Sequence, residues 1–188
     1  ESERLRSLAE TDPLTQLLNR RGLVHRAPAI MGMSAGSALL ILDVDYFKTI
    51  NATLGHEVGD RVLIRVGELL EGQCAAKRPV GRIGGEEFAI VLGEEDFDTA
   101  LHFADHIRRQ LAGASFADLL GDGRGITISI GLAVVPFAFP ATFERLYIAA
   151  DRALYAAKNA GRNRVEVASL EDIRRAEIRL ATVINGPI

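Results

Sequence analysis

Residues 37–44 read SALLILDV, an almost continuous apolar run of strand length that decides how the rest of the chain can be arranged. Gly36 precedes the run, and the polar Asp45 follows it directly. A run of this kind is typical of a strand that is covered on both of its faces. The sequence therefore predicts a buried strand, with other elements packed against each face.

Helical and strand patterns alternate around this run. Residues 12–27 are predicted as two short helical pieces, with Asp12 as N-cap and a break at Gly22. Four further segments have the period of amphipathic helices: 59–74, 96–113, 142–160 and 170–184. Four more have the pattern of strands: 80–83, 88–92, 126–135 and an edge strand at 164–167. The pattern predicts an α/β fold (an α+β sandwich) with helices flanking a mixed, mostly antiparallel sheet of five strands.

Length and composition restrict the class of protein. The 188 residues, 48% of them hydrophobic, suit one compact domain. A net charge of −3 argues against binding to nucleic acid, which normally requires a clustered excess of Lys and Arg. Cys74 is the only cysteine, which excludes an intrachain disulfide and favours a reducing compartment. No apolar run approaches the roughly 20 residues that cross a bilayer, so no membrane contact by this segment is expected.

Three carboxylates are predicted to meet at one edge of the sheet. Asp43 lies at the carboxyl end of the buried strand, where ligands gather in open sheets. Glu86 and Glu87 follow Gly84 and Gly85 in a predicted β-hairpin turn, and adjacent carboxylates repel each other unless they share a cation or proton. One alternative is that Asp43 is a loop acid hydrogen-bonded to backbone amides. The other is that residues 84–87 form a solvated turn. Taken together, the three acids match the oxygen-rich shell that Mg²⁺ prefers.

Lys158 and Arg162 lie four residues apart near the end of the helix predicted at 142–160. On a helix this spacing places both cations on one face. Arg suits a bidentate contact with phosphate and Lys a point charge. The alternative is that both cations only complement the helix dipole at its C-terminus.

Five blocks of the sequence resemble the GGDEF family of diguanylate cyclases in their order and spacing. They are DPLTQLLNRR at 12–21, DVDYFKTINATLGHEVGD at 43–60, RIGGEEF at 82–88, ITISIGLA at 126–133 and ADRALYAAKNAGRNRV at 150–165. The resemblance implies a nucleotidyl-cyclase-like fold and an enzyme that condenses two GTP into cyclic di-GMP and two pyrophosphates. Because one chain has one such site and the product has two equivalent bonds, the enzyme would work as a homodimer.

The resemblance also implies a role for individual residues. Asp43, the Val44 carbonyl, Glu86 and Glu87 would hold Mg²⁺ or Mn²⁺, and Glu86 would lie closest to the reacting 3′-hydroxyl as metal ligand or proton acceptor. The implied substrate contacts are Asn51 and Asp60 on guanine, Phe47 and Lys48 at the phosphate end of the pocket, Gly84 and Gly85 beside the phosphates, and Lys158 and Arg162 on the β- and γ-phosphates.

The chain departs from the family pattern at one regulatory position. Ala75 and Arg78 stand where many members have the Arg and Asp of a product-inhibition site, so this allosteric site is expected to be absent or weakened. Two alternatives to an active cyclase are an inactive GGDEF module that binds GTP or cyclic dinucleotide as a regulatory receptor, and a cyclase that also accepts ATP. The carboxylate of Asp60 suits guanine and argues against a cyclase that also accepts ATP.

The expected organisation is a linker-helix end at 1–10, the catalytic domain at 11–168 and a C-terminal helical extension at 169–188. The linker would connect to an upstream sensor or regulatory domain. The expected location is cytoplasmic, either as a free protein or as the cytoplasmic part of a longer, membrane-bound one.

Overall fold

The computed structural model describes residues 10–31, 36–74, 78–121, 123–137, 139 and 142–176. Six strands form one mixed sheet: β1 (Leu18–Asn19), β2 (Ser37–Val44), β3 (Val80–Arg82), β4 (Glu87–Gly93), β5 (Ile128–Val135) and β6 (Val165–Val167). Their order is β1-β3-β4-β2-β5-β6, with antiparallel pairs in the centre and a parallel pair at each edge. The mixed, mostly antiparallel sheet is confirmed, with one strand more than predicted. The extra strand, β1, has only two residues, too few to show a period in the sequence.

Helices cover both faces of the sheet: α1 (Arg20–Ile30), α2 (Phe47–Leu54), α3 (His56–Gln73), α4 (Phe97–Gly113), α5 (Ala117–Leu120) and α6 (Phe143–Asn159). Residues 170–176 are also helical, and the predicted continuation to 184 lies outside the described residues, as do residues 1–9 of the linker predicted at 1–10. The division of the chain into linker, catalytic domain and extension is still a prediction. No helix among the described residues is both long enough and apolar enough for a membrane span.

Strand β2 is buried along all eight residues and separates two hydrophobic clusters. Leu40 and Leu42 belong to the cluster that includes α3 and α4, whereas Leu39 and Ile41 belong to the one that includes α1 and α6. Side chains alternate between the two faces of a strand. Asp43 therefore continues the row of Leu39 and Ile41 and lies on the side of α1 and α6.

The segment that starts at Asp12 is a turn and not the predicted helix. The Asp12 carboxylate accepts hydrogen bonds from the amide of Thr15 at 2.9 Å and from its hydroxyl at 2.8 Å, which satisfies these donors without a helix. Helix α1 begins after Asn19, whose side chain accepts from the Gly22 amide at 2.9 Å. The predicted break at Gly22 is therefore wrong, because Gly22 lies inside the first turn of α1.

Candidate active site

Asp43 and Glu87 lie opposite each other on the antiparallel strands β2 and β4. Just beyond this pair, the Val44 amide donates to the Glu86 carbonyl at 3.2 Å. The alternation of side chains along β4 places Glu87 on the same face as Ala89, which packs with α1 and α6. Asp43 and Glu87 therefore share one face of the sheet, and the hairpin meets the end of the buried strand as the sequence predicts.

Lys158 of α6 joins this pair. Its ammonium donates to Asp43 Oδ2 at 2.6 Å. Burial raises the pKa of Asp43 to about 6, against the lowering effect of Lys158, and the charges of Glu86 and Glu87 raise it further. Burial likewise raises the pKa of Glu87, which Lys158 opposes. Burial therefore disfavours the charged forms of both carboxyls more than Lys158 favours them.

The chemistry of these acids fits a divalent cation that a nucleotide helps to hold. Within the described ranges of the chain, no three His, Cys, Asp or Glu side chains are arranged to hold a metal ion. Asp43 and Glu87 are nevertheless hard oxygen donors on one face, and their raised pKa values show that their charges are unfavourable without further positive charge. Mg²⁺ typically takes one or two carboxylates and completes its shell with water and substrate phosphates. The participation of Glu86 and of the Val44 carbonyl is still a prediction.

Arg82 holds the tip of the hairpin in place. Its Nε and Nη2 atoms donate to the Gly85 carbonyl at 2.9 and 2.8 Å, and Nη1 donates to Asp12 Oδ1 at 3.2 Å. The Ile83 amide donates to the Glu87 carbonyl at 2.9 Å. Sequence reasoning gave Arg82 no role, although it belongs to the RIGGEEF block. Its link to Asp12 spans 70 positions and has no local signal.

The two glycines of the hairpin tip are exposed. A Cβ on Gly85 would meet nothing within 4 Å, whereas a Cβ on Gly84 would lie 3.1 Å from Glu87 Oε2. The tip therefore has an open side that a ligand can approach, and a larger side chain at position 84 would crowd Glu87. Contact of these glycines with phosphate is still a prediction.

Asn51 of α2 packs against Gly59 of α3, the residue before Asp60. Asn51 Oδ1 is buried and has no hydrogen-bond partner among the described residues. It lies 1.9 Å from the position that a Cβ on Gly59 would occupy, so it packs directly against the residue that precedes the exposed Asp60. A buried acceptor without a donor costs about 1–3 kcal/mol. This cost would be removed if the amide turned towards a ligand that supplies an N–H donor, and contact of Asn51 and Asp60 with guanine is still a prediction.

Phe47 and Lys48 differ in their surroundings. Phe47 is 7% exposed and belongs to the core cluster on the side of α3 and α4. Lys48 is exposed and makes no hydrogen bond or ion pair with the described part of the chain. The structure thus gives Phe47 a packing role, and the predicted contribution of both residues to the phosphate end of a pocket is untested.

Arg162 does not lie on the helix that carries Lys158. Helix α6 ends at Asn159, Gly161 has a φ of 115°, and Arg162 itself has a left-handed φ of 63°. The prediction that both cations share one helical face is therefore wrong. The guanidinium of Arg162 instead lies 4.7 Å from the centre of the Tyr46 ring.

Asp45 is a buried acid whose role the sequence did not reveal. Its carboxylate accepts hydrogen bonds from the hydroxyls of Thr127 and Ser129, both at 2.7 Å, and from the Asn163 amide at 3.0 Å. These donors come from the start of β5 and from the loop after α6. Asp45 therefore ties the end of β2 to the loop that carries Arg162.

Arg78 is engaged within the fold. Its guanidinium lies 2.6 Å from the Glu95 carboxylate and 4.3 Å from the centre of the Phe103 ring. Ala75, the other position of the expected inhibitory site, lies outside the described residues. The absence of that site is still a prediction.

A cavity of about 860 Å³ lies at the opposite end of the sheet. Its lining includes the exposed side chains of Phe97, Phe137 and Leu170, and none of the predicted site residues. Cavity size therefore does not locate the chemistry of this chain. The edge of the sheet that carries Asp43 and Glu87, here called the carboxylate edge, is the better candidate for an active site.

Comparisons with known proteins agree with the fold. The family model described as "Diguanylate cyclase, GGDEF domain" matches residues 9–164. Diguanylate cyclase DosC of Escherichia coli K12 is 39% identical over 160 residues, which is 83% of this chain and 34% of DosC. The chain spans between 34% and 45% of the length of the first curated relatives that it matches.

Two solved structures are similar over most of the chain. The coiled coil and GGDEF domain of DgcB from Caulobacter crescentus, in complex with c-di-GMP, matches with a TM-score of 0.78 and 31% identity, covering 89% of this chain and 90% of that one. The active GGEEF domain of a diguanylate cyclase from Vibrio cholerae matches with a TM-score of 0.73 and 32% identity, covering 82% and 99%.

Proposed function

Because the chain belongs to the GGDEF family of diguanylate cyclases, whose domains act as dimers on GTP, we propose that it condenses two GTP into cyclic di-GMP and two pyrophosphates. The observation that supports this most directly is the pairing of Asp43 with Glu87 across β2 and β4, beside Lys158. Degenerate members usually lose signature acids, whereas Asp43, Glu86 and Glu87 are all present. The inactive receptor is therefore the weaker alternative.

The carboxylate edge would hold the metal ion. Diguanylate cyclases of this family generally use a divalent metal. In our proposal Asp43, the Val44 carbonyl, Glu86 and Glu87 would be the ligands for Mg²⁺ or Mn²⁺. A bound ion would supply positive charge to the phosphate oxygens at which negative charge develops.

Asn51 and Asp60 would select guanine. The buried Asn51 Oδ1 has no donor among the described residues, and it packs against Gly59, which the exposed Asp60 directly follows in the chain. Guanine presents the N1–H and N2–H₂ donors on one edge, whereas adenine has no donor at N1. Two acceptors at this junction therefore favour GTP over ATP.

Lys158 and Arg162 would neutralise the leaving group. When substrate binds, the ammonium of Lys158 turns from Asp43 towards the β- and γ-phosphates, and the guanidinium of Arg162 approaches from the loop after α6. Phe47 and Lys48 border this end of the pocket, and Gly84 and Gly85 leave room beside the phosphates. The negative charge that develops on pyrophosphate as it departs is thereby balanced by fixed cations.

The reaction would proceed by in-line displacement. The 3′-oxygen of one GTP forms a bond to the α-phosphorus of the other, the bond from that phosphorus to the bridging oxygen of pyrophosphate breaks, and Glu86 accepts the 3′-hydroxyl proton. Each chain holds one GTP, so two chains must face each other for both bonds to form. Much of the rate enhancement then comes from positioning.

A turnover assay at several protein concentrations tests the proposal. Purified protein is incubated with GTP and Mg²⁺, and the products are separated by chromatography, with ATP in parallel reactions. We expect cyclic di-GMP and pyrophosphate, a rate per chain that rises with concentration until dimers saturate, and no product from ATP alone. Bound GTP without cyclic product, at concentrations where dimers form, would reject the proposal in favour of the receptor.

The setting of the domain in a longer protein is also a proposal. An upstream sensor or regulatory domain, joined through residues 1–10, would bring two catalytic domains together. A cytoplasmic location would give access to GTP.

A further inference from the structure

Backbone strain is concentrated where two segments of the candidate site touch. Tyr46, Arg162 and Asn163 all have left-handed φ angles, of 57°, 63° and 46°. Left-handed conformations are unfavourable for Tyr and Arg and are better tolerated by Asn, and they tend to cluster at sites where the surrounding structure imposes them. Here the strained residues come from the end of β2 and from the loop after α6, which are far apart in the chain.

These two segments hold each other through two different contacts. The Asp45 carboxylate accepts a hydrogen bond from the Asn163 amide at 3.0 Å, and the Tyr46 ring lies under the Arg162 guanidinium at 4.7 Å. The first contact fixes the backbone of the loop, and the second restrains the side chain that is expected to meet the triphosphate. The residues of the first segment that make these contacts, Asp45 and Tyr46, directly follow Asp43 and Val44 in the chain.

Neither burial nor helix capping explains a tyrosine at position 46. The side chain is 62% exposed, so it contributes little to the core. It occupies the N-cap position of α2 without a side-chain capping bond, where Ser, Thr, Asp or Asn would stabilise the helix. The contact with Arg162 is the interaction that the structure gives to this ring.

We propose that Tyr46 is a positioning residue that holds Arg162 ready for the β- and γ-phosphates of GTP. An arginine side chain has many rotamers, and restraining it before substrate arrives reduces the entropy lost on binding. The face of an aromatic ring attracts a guanidinium, and the ring of Phe would serve as well as that of Tyr. This inference rests on the proposed function, which assigns contact with the β- and γ-phosphates of GTP to Arg162.

The test measures binding of guanosine 5′-[α,β-methylene]triphosphate, which cannot release pyrophosphate, by titration calorimetry. Tyr46→Ala should weaken binding roughly two- to five-fold, which corresponds to about 0.5–1 kcal/mol. Tyr46→Phe should bind within about two-fold of the original protein. Phe137→Ala serves as a matched control, because Phe137 is an exposed aromatic residue at the opposite end of the sheet.

Two further measurements separate positioning from a general structural effect. In an Arg162→Ala background, Tyr46→Ala should cause no additional loss, since the ring then has no cation to hold. Binding of GMP, which lacks the β- and γ-phosphates, should be unaffected by Tyr46→Ala. An equal loss in the Arg162→Ala background, an equal loss for GMP, or a Phe variant as weak as the Ala variant would each overturn the proposal.

The binding measurements also keep this inference separate from the proposed function. If the original protein binds the analogue but makes no cyclic di-GMP from GTP, the catalytic proposal fails and the comparison of Tyr46 variants still decides the role of the ring. If the original protein does not bind the analogue, both proposals fail.

Discussion

Replacing Asp43 by Asn should stabilise the protein when metal and nucleotide are absent. The Asp43 carboxyl is 5% exposed, and burial raises its pKa from 3.8 to about 6 although Lys158 lies 2.6 Å away. A shift of one pKa unit corresponds to about 1.4 kcal/mol, so a shift of about two units destabilises the ionised form by about 3 kcal/mol. Asn has nearly the same shape without the charge. The free energy of unfolding of the variant should therefore be higher by up to about 3 kcal/mol at neutral pH.

The expected difference between the two proteins depends on pH in a defined direction. The folded protein holds the Asp43 proton more tightly than the unfolded chain does, because its folded pKa is the higher one. The stability that this group contributes is therefore complete below about pH 4 and is lost as the pH rises through about 6. The original protein and Asp43→Asn should be similarly stable near pH 4 and differ most above pH 7.

Urea or thermal unfolding in EDTA at pH 4 and pH 7.5 measures this difference. In a chain of this length 1 kcal/mol shifts the unfolding midpoint by about 2–4 °C, so Asp43→Asn should raise it by up to about 6–12 °C at pH 7.5. Glu94→Gln, at an exposed acid just beyond the far end of β4, is the control and should change little at either pH. A variant that is less stable than the original protein at pH 7.5 would show that the Lys158 ion pair outweighs burial, and would refute the reasoning.

Three other predictions concern substrate, metal and product. Glu87→Gln should lower GTP turnover at least ~10²-fold, the scale for losing charge stabilisation in a transition state, and near-normal turnover would exclude Glu87 from the metal shell. Asn51→Ala should weaken GTP binding about tenfold in calorimetry while changing the unfolding free energy by less than about 1 kcal/mol, because a donor on the ligand would satisfy Oδ1 and no group in the described part of the chain does. Unchanged affinity would remove Asn51 from the guanine site. Cyclic di-GMP should bind poorly once the active site is filled with the methylene analogue, because Ala75 and Arg78 replace the Arg and Asp of the product-inhibition site. Tight binding of several product molecules would contradict this.

The central part of the fold could be predicted because its signals are local. Strand β2 is an almost uniformly apolar run, and that run reflects burial on both faces. Helix α2 was missed because its eight residues follow Tyr46, whose left-handed backbone has no sequence signal in a tyrosine. In the same way, Asn19 rather than Asp12 caps α1, and both residue types are good N-caps.

The candidate site was predicted in its composition better than in its geometry. Placing Lys158 and Arg162 on one helical face required the helix to continue past Gly161, although a glycine there already marks the end of a helix. The roles of Asp45 and Arg82 depend on partners 70 or more positions away, Thr127 and Asp12 among them. Such pairings follow from the sheet order, which no local pattern reveals.

The hairpin that joins β3 to β4 limits how this domain can be engineered. The amide of Ile83 bonds to the carbonyl of Glu87, and the guanidinium of Arg82 bonds to the carbonyl of Gly85, so the length of the connection is fixed from both sides. One added or deleted residue that shifted the register of β4 would turn Glu87 to the face opposite Asp43. Reporter peptides and fluorescent-protein fusions therefore belong elsewhere, for example at the exposed residues 123–125, which lie outside any strand.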